Sequence, residues 1–254
     1  MELLQTDNLT MKFGGVTALS ELNFAVEQGR IFSLIGPNGA GKTTFFNVVT
    51  GFYTPSDGGI RFDGKKLIGV KPERITSFGI ARTFQNIRLF ANMTALENVM
   101  VSQHCRMQAG VWGALARNRQ TVAEEKYVHE RAYELLKQVN LHKDEDVLAK
   151  NLPYGEQRRL EIARALGTGP KLLLLDEPSA GMNPQETLDL IKLIDLLNKE
   201  LKITILLIEH DMRVVMNISD RVIVLDYGKK IAEGSPEEVQ NNEQVIEAYL
   251  GKKR

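Results

Sequence analysis

The sequence predicts an α/β fold with a mostly parallel sheet, a small antiparallel β subdomain and an inserted helical subdomain. Three observations predict it. A glycine-rich loop, Gly36-Pro37-Asn38-Gly39-Ala40-Gly41-Lys42-Thr43-Thr44, lies between an apolar run, Ile31 to Ile35, and a helix-compatible stretch, Phe45 to Val49. Further on, apolar runs at Leu172 to Leu175, Ile203 to Ile208 and Val222 to Leu225 alternate with helical patterns, as in a buried parallel sheet. Between these parts, Thr94 to Leu148 has only helical periodicity.

Taken in order, residues 3 to 13 and 22 to 27 read as strands, with turns at Gly14-Gly15 and Gln28-Gly29. A third strand, 59 to 64, follows the turn Pro55-Ser56-Asp57-Gly58, and the three form the antiparallel subdomain. Phe13, just before two glycines, reads either as an aromatic that stacks on an adenine ring or as a core strand residue. Pro72 to Phe78 is helical, Gly79 ends it, and Ile80 to Phe84 is a strand running into Gln85. Thr94-Ala95-Leu96-Glu97 is a capping box, after which Ala132, Leu135, Leu136 and Val139 share one helix face. Residues 106 to 126 set Val111, Trp112 and Leu115 among Arg106, Arg117 and Arg119, a pattern that fits a solvated surface helix or a basic amphipathic helix meeting a membrane partner. A helix over 156 to 167 follows. Asn183, with Pro184 and Glu186 after it, starts another that runs to about Leu201, and a short helix begins at Met212. Tyr227-Gly228 turns a hairpin, and Ser235-Pro236-Glu237-Glu238 caps a helical C-terminal stretch. The whole chain, 1–254, is expected to be one domain: 1–85 and 158–254 form a P-loop NTPase core with the antiparallel subdomain, and 86–157 form the helical insertion.

The chemistry begins at the loop. Gly36, Gly39 and Gly41 permit a turn whose amide N–H groups point inward, and the helix N-terminus adds partial positive charge, so a polyphosphate fits. Lys42 can reach the β- and γ-phosphates, Thr43 is placed to ligate Mg2+, and Thr44 adds an α-phosphate contact. Asp176 and Glu177 end the run Leu172 to Leu175, where such a core needs a Mg2+ carboxylate. Asp176 takes that role and Glu177 that of the base polarising an attacking water. The bland alternative is two solvated acids before Pro178. Gln85 and His210 stand where predicted strands run out, the usual place for site residues in parallel sheets. His104, His129 and His142 read as surface residues.

Composition narrows the class. Lys and Arg total 32 against 32 Asp and Glu, and the pI is near 6.9, so there is no basic footprint for nucleic acid. Cys105, the only cysteine, excludes an intrachain disulfide and a multi-cysteine metal site and fits a reducing cytoplasm. With no basic region and apolar core at Met1 to Gln5, and no apolar run of spanning length, the expectation is a soluble chain that docks on a membrane protein.

The loop, Gln85, Leu152-Pro153-Tyr154-Gly155-Glu156-Gln157-Arg158-Arg159, Asp176-Glu177, Ser179 to Asn183 and His210, in that order, resemble the nucleotide-binding subunit of an ATP-binding-cassette transporter along essentially the whole chain. The resemblance implies a cytoplasmic-face peripheral subunit that pairs head to tail with a second one, identical or sister, on integral-membrane permease subunits. Each ATP then lies between one chain's phosphate loop and the other's signature stretch, here Tyr154, Gly155 and Glu156. It further implies that Phe13 stacks on adenine, that Gln85 touches Mg2+ or water and senses the membrane subunit, that His210 contacts the γ-phosphate, and that Met182 and Asn183 communicate across the dimer. Two departures stand out. The usual signature Leu-Ser-Gly-Gly-Gln has Pro153 for its serine, Tyr154 for its first glycine and Glu156 for its glutamine; Pro153 offers neither hydroxyl nor amide N–H. Asn183 stands where an aspartate is common.

Within this superfamily, Lys12 to Val16, Thr50 to Tyr53, Ile80 to Phe90, Tyr154 to Arg164 and Glu243 to Gly251 resemble the branched-chain amino acid importer ATPase, a family that works with a substrate-binding protein as well as permeases. The ATPase of a lipopolysaccharide-type lipid exporter has a similar signature region and is the alternative among transporters. A non-transport cassette protein of translation or DNA repair is a different class, but those usually carry two cassettes or a long coiled coil. A GTPase needs Asn-Lys-x-Asp, whereas Asn198-Lys199 continues with Glu200-Leu201.

Overall fold

The computed structural model describes residues 1–106 and 119–250 as two sheets with helices packed around them. The first sheet is antiparallel. Strand β1 (Glu2–Phe13) turns at Gly14-Gly15 into β2 (Val16–Leu22), and β3 (Ala25–Glu27) pairs with the other half of β1. The strand expected over 22 to 27 is therefore broken. Asn8 and Glu21 take φ of 47° and 50°, which interrupts the ladder, and the Asn23 side chain fills the gap by accepting from Asn8 N at 2.8 Å.

Strand β4 (Ile31–Ile35) is wholly buried and leads through the glycine-rich loop into α1 (Lys42–Val49). Strand β5 (Asp57–Phe62) returns to β1, and Asp63 and Gly64, with φ of 48° and 73°, turn it into β6 (Lys65–Lys66), so the strand expected to reach Gly64 stops at Phe62. Helix α2 (Pro72–Phe78) opens on its proline and closes on Gly79 at φ 108°. Strand β7 (Ile80–Arg82) is shorter than expected; the chain leaves the sheet before Phe84.

Helix α3 (Ala95–Ser102) has the Thr94–Glu97 capping box in full. Of the basic stretch considered over 106 to 126, residues 107–118, with Val111, Trp112, Leu115 and Arg117, lie outside the described residues. Arg106 donates to the carbonyls of Thr168 at 2.7 Å and Gly169 at 3.0 Å, just past the helix that ends at Gly167. Helix α4 (Arg119–Gln138) buries Ala132, Leu135 and Leu136 against α3 and α5 (Tyr154–Gly167), as its period requires.

Strand β8 (Leu172–Asp176), α6 (Pro184–Leu201), β9 (Thr204–Ile208), α7 (Met212–Ile218), β10 (Arg221–Asp226), β11 (Lys229–Gly234), α8 (Pro236–Gln240) and α9 (Glu243–Leu250) follow among the described residues. The second sheet has the order β11-β10-β4-β9-β8-β7, with only β11 antiparallel to its neighbour. Strands β4, β8 and β9 are buried at every position because both faces are covered. Leu173, Leu175, Ile205 and Leu207 join the core under α3, α5 and α6, while Leu172, Leu174, Leu206 and Ile208 join the core with α1 and the antiparallel sheet. The C-terminal edges of β4, β8 and β9 thus carry the loop, Asp176-Glu177 and His210 to one side.

Candidate nucleotide site

The loop is held open by close backbone approaches that only glycine permits. Gly36 has φ 148°, and a Cβ there would stand 2.1 Å from the Leu225 carbonyl oxygen. Gly41, at φ 101°, is the N-cap of α1, and its Cβ would meet the Ala18 carbonyl oxygen at 2.5 Å. The N-terminal N–H groups of α1 have no intrahelical partner and face the loop, which makes the segment an anion cradle. Lys42 is buried and folds over it, donating to the carbonyls of Gly36 at 2.7 Å and Pro37 at 2.9 Å. Burial lowers its pKa from the ordinary lysine value, with Glu177 and Asp176 pulling the other way.

Strand β8 delivers Asp176, buried, to the same side, and the next residue breaks from the sheet. Glu177 has φ 47°, a left-handed conformation costing about 1–3 kcal/mol for a non-glycine residue. Its N–H donates to the Ile208 carbonyl at 2.9 Å, which fixes the departure from β8. Here three predicted residues meet. Gln85 Nε2 donates to Glu177 Oε2 at 2.8 Å, and His210 Nδ1 lies 3.8 Å from the same oxygen. A cleft of about 360 Å3 also brings the three metal candidates, Thr43, Gln85 and Asp176, onto one wall. All three offer oxygen donors.

Other predicted residues lie elsewhere. Phe13 is 43% exposed and edge-on to Tyr53, with centroids 5.2 Å apart, so it is not a core strand residue. Tyr154, Gly155 and Glu156 begin α5; among the described residues no hydrogen bond or ion pair joins them to residues 36–44. Pro153 is the N-cap of α5 without a side-chain bond, and its carbonyl accepts from Glu156 N at 3.0 Å and Gln157 N at 2.9 Å. The Tyr154 hydroxyl donates to the Ala180 carbonyl at 2.9 Å. Asn183 caps α6 through a complete capping box with Glu186.

Sequence reasoning missed four buried charges around the site. Arg82 pairs with Asp176 at 2.8 Å. Glu209 is 1% exposed; one of its oxygens accepts from Ser179 N at 2.9 Å and the other from His210 N at 3.1 Å, so it ties the segment after Glu177 to His210. Arg158 pairs with Glu161 at 3.2 Å, donates to the Phe84 carbonyl at 2.6 Å and bonds the Gln85 carbonyl. Glu161 accepts from Phe84 N at 3.4 Å and Arg88 N at 3.3 Å. The signal was present for Arg158 and Glu161, which sit three apart within the apolar α5 pattern. Asn198, the would-be guanine reader, instead bonds the carbonyls of Gly29 at 3.0 Å and Ile203 at 2.9 Å.

Residues 19–180 match the ABC transporter family, and residues 229–253 match the family described as branched-chain amino acid ATP-binding cassette transporter. The chain is 47% identical to the high-affinity branched-chain amino acid transport ATP-binding protein BraF of Pseudomonas aeruginosa, over 98% of both chains. Its fold matches the ADP conformation of MJ1267, an ATP-binding cassette of an ABC transporter, with TM-score 0.86 and 34% identity over 99% of this chain and 100% of that one. It also matches a dimeric post-hydrolysis structure of the cassette MJ0796 bound to ADP and Pi, with TM-score 0.77 and 26% identity over 92% of this chain and 99% of that one. The phosphate loop, the Gln85–Glu177–His210 cluster and these likenesses agree: the chain belongs to the ATP-binding cassette family, among its branched-chain amino acid transport ATPases.

Proposed function

We propose that this chain is the ATP-hydrolysing subunit of a branched-chain amino acid importer, acting from the cytoplasmic face of the membrane. The single observation that carries the site is the convergence of Gln85, Glu177 and His210 beside Asp176 and the phosphate loop. ATP phosphates would lie on the N–H groups of residues 36–44, with Lys42 leaving the Gly36 and Pro37 carbonyls for them. Phe13, at the end of β1 and exposed, would take the adenine face. Glu177 accepts a proton from the attacking water, Gln85 and His210 orient that carboxylate, and His210 is the candidate for the γ-phosphate.

The residues present fit Mg2+. Among the described residues no cluster of three or more His, Cys, Asp or Glu could hold a metal alone, while Thr43, Gln85 and Asp176 offer three hard oxygen donors, one of them a carboxylate, which suits Mg2+ when phosphates supply other ligands. Bound there, the ion would neutralise charge on the transferred phosphoryl group.

Tyr154, Gly155 and Glu156, separate from the loop of their own chain, would face the ATP of a second cassette; a related cassette is dimeric with ADP and Pi bound. No helix among the described residues is long and apolar enough to cross a membrane, so permease subunits would provide the path and a substrate-binding protein would deliver the cargo. The test is to tag the chain in its source cells, solubilise the membranes gently and identify what co-purifies, then to measure ATP hydrolysis with leucine present. Two permease chains with a sister ATPase and leucine-stimulated hydrolysis support the reading. Lipid-export subunits, or ribosomes and DNA-repair proteins without a membrane chain, overturn it.

A further inference from the structure

Arg82 is the last residue of β7, and its side chain is only 6% exposed. Its Nη2 lies 2.8 Å from Asp176 Oδ2, itself on a 6% exposed side chain. Nη1 donates to Asn47 Oδ1 at 2.7 Å, on α1, and the guanidinium sits over the rings of Phe46 and Phe84 at 5.4 and 5.0 Å. One cation therefore joins the helix of the phosphate loop, the end of β8 and the segment leading to Gln85. Burying it is costly, and Arg82 Nε is buried with no partner, so the ion pair has to offset a sizeable desolvation penalty. A charge buried at that cost in the wall of the cleft calls for a role beyond packing.

The geometry supplies one. Arg82 occupies Oδ2 of Asp176, while Oδ1 has no hydrogen-bond partner among the described residues. The planar guanidinium is fixed on its other side by Asn47, so the carboxylate is held in one orientation relative to Thr43, four residues before Asn47 on α1 and lining the same cleft. We propose that Arg82 is a positioning residue of the divalent-cation site: it orients Asp176 so that Oδ1 serves the ion or a water bound to it. This rests on the Mg2+ reading above. Lysine cannot replace it in full, because one ammonium does not reproduce the fork that spans Asn47 and Asp176.

The test uses the full chain with ADP and Mn2+, a spectroscopically visible hard cation, followed by electron paramagnetic resonance. Arg82→Gln is expected to weaken Mn2+ binding to the chain–ADP complex by roughly 10–100-fold, the usual loss when an outer partner of a metal ligand is removed. ADP affinity without metal should stay near the native value, and Arg82→Lys should fall between. If Arg82→Gln does not fold, Asn47→Ala, which frees one side of the guanidinium, should weaken Mn2+ in the same direction by less. Unchanged Mn2+ affinity in the folded variants, or an equal loss of metal-free ADP affinity, overturns the proposal. Asp176→Asn separates the two layers. If it weakens Mn2+ and the Arg82 and Asn47 variants do not, only the role of Arg82 fails; if it leaves Mn2+ unaffected, the Mg2+ site itself is wrong.

Discussion

Gln85 Nε2 donates to Glu177 Oε2 at 2.8 Å, a bond between residues 92 apart in the chain. It ties the carboxylate with φ 47° at the end of β8 to the segment that leads into the helical part of the molecule, whose backbone is held in turn by Arg158. Movement of that segment therefore changes the environment of Glu177 directly. Glu177→Gln keeps the shape and hydrogen-bonding capacity but removes the base, so kcat should fall by about two to four powers of ten while ATP still binds. Single-turnover hydrolysis and a nucleotide-binding assay decide this; native turnover in the variant removes Glu177 from its role.

Burial places the Lys42 pKa below the ordinary lysine value. Between the lowered folded value and the ordinary one, the unfolded chain binds the extra proton, so Lys42 makes the nucleotide-free chain more stable as pH rises through that alkaline window. ATP affinity should run the opposite way, weakening as Lys42 loses its charge, and binding in the window should take up a proton. Calorimetry in buffers of different ionisation enthalpy measures that uptake. Lys42→Arg, charged throughout, should flatten the dependence.

Pro153 caps α5 without a side-chain hydrogen bond. Pro153→Ser restores a hydroxyl at the helix start, where a capping side chain contributes about 0.5–2 kcal/mol, and offers a donor to a γ-phosphate. Thermal stability should rise, and ATP affinity or turnover with it. No change in affinity or turnover would overturn this expectation.

Arg158 and Glu161, each 2% exposed in its side chain, are a buried pair 3.2 Å apart. Burial raises the Glu161 pKa, with Arg158 opposing. Arg158→Met leaves that carboxyl and the carbonyls of Phe84 and Gln85 without their partner, at a cost of about 3–5 kcal/mol. A double-mutant cycle with Glu161→Gln, read by urea unfolding, should give a coupling of roughly 0.5–3 kcal/mol. Additive effects would show that the two residues act separately.

Local structure was legible wherever the determinant lies within a few residues. The capping boxes at Thr94, Asn183 and Ser235 are each present in full, because both halves of such a cap sit within one turn of chain. The apolar strands and the phosphate loop were readable for the same reason. The errors fall where the backbone departs from its propensity: Asn8, Glu21 and Asp63 adopt positive φ and end or break strands whose composition would have continued them.

The order of the motifs in the sequence determined the fold class and the phosphate-binding loop and singled out Asp176, Glu177, Gln85 and His210 as candidate site residues. Which atoms meet was decided by tertiary structure alone. Arg82, Arg158, Glu161 and Glu209 carry no mark in the chain that sets them apart, and each is buried where the fold brings a partner from another element to it. Burying a charge costs too much to be stable without such a partner, and the partners 94 residues from Arg82, 73 from Arg158 and 30 from Glu209 have no periodicity or spacing by which to announce themselves.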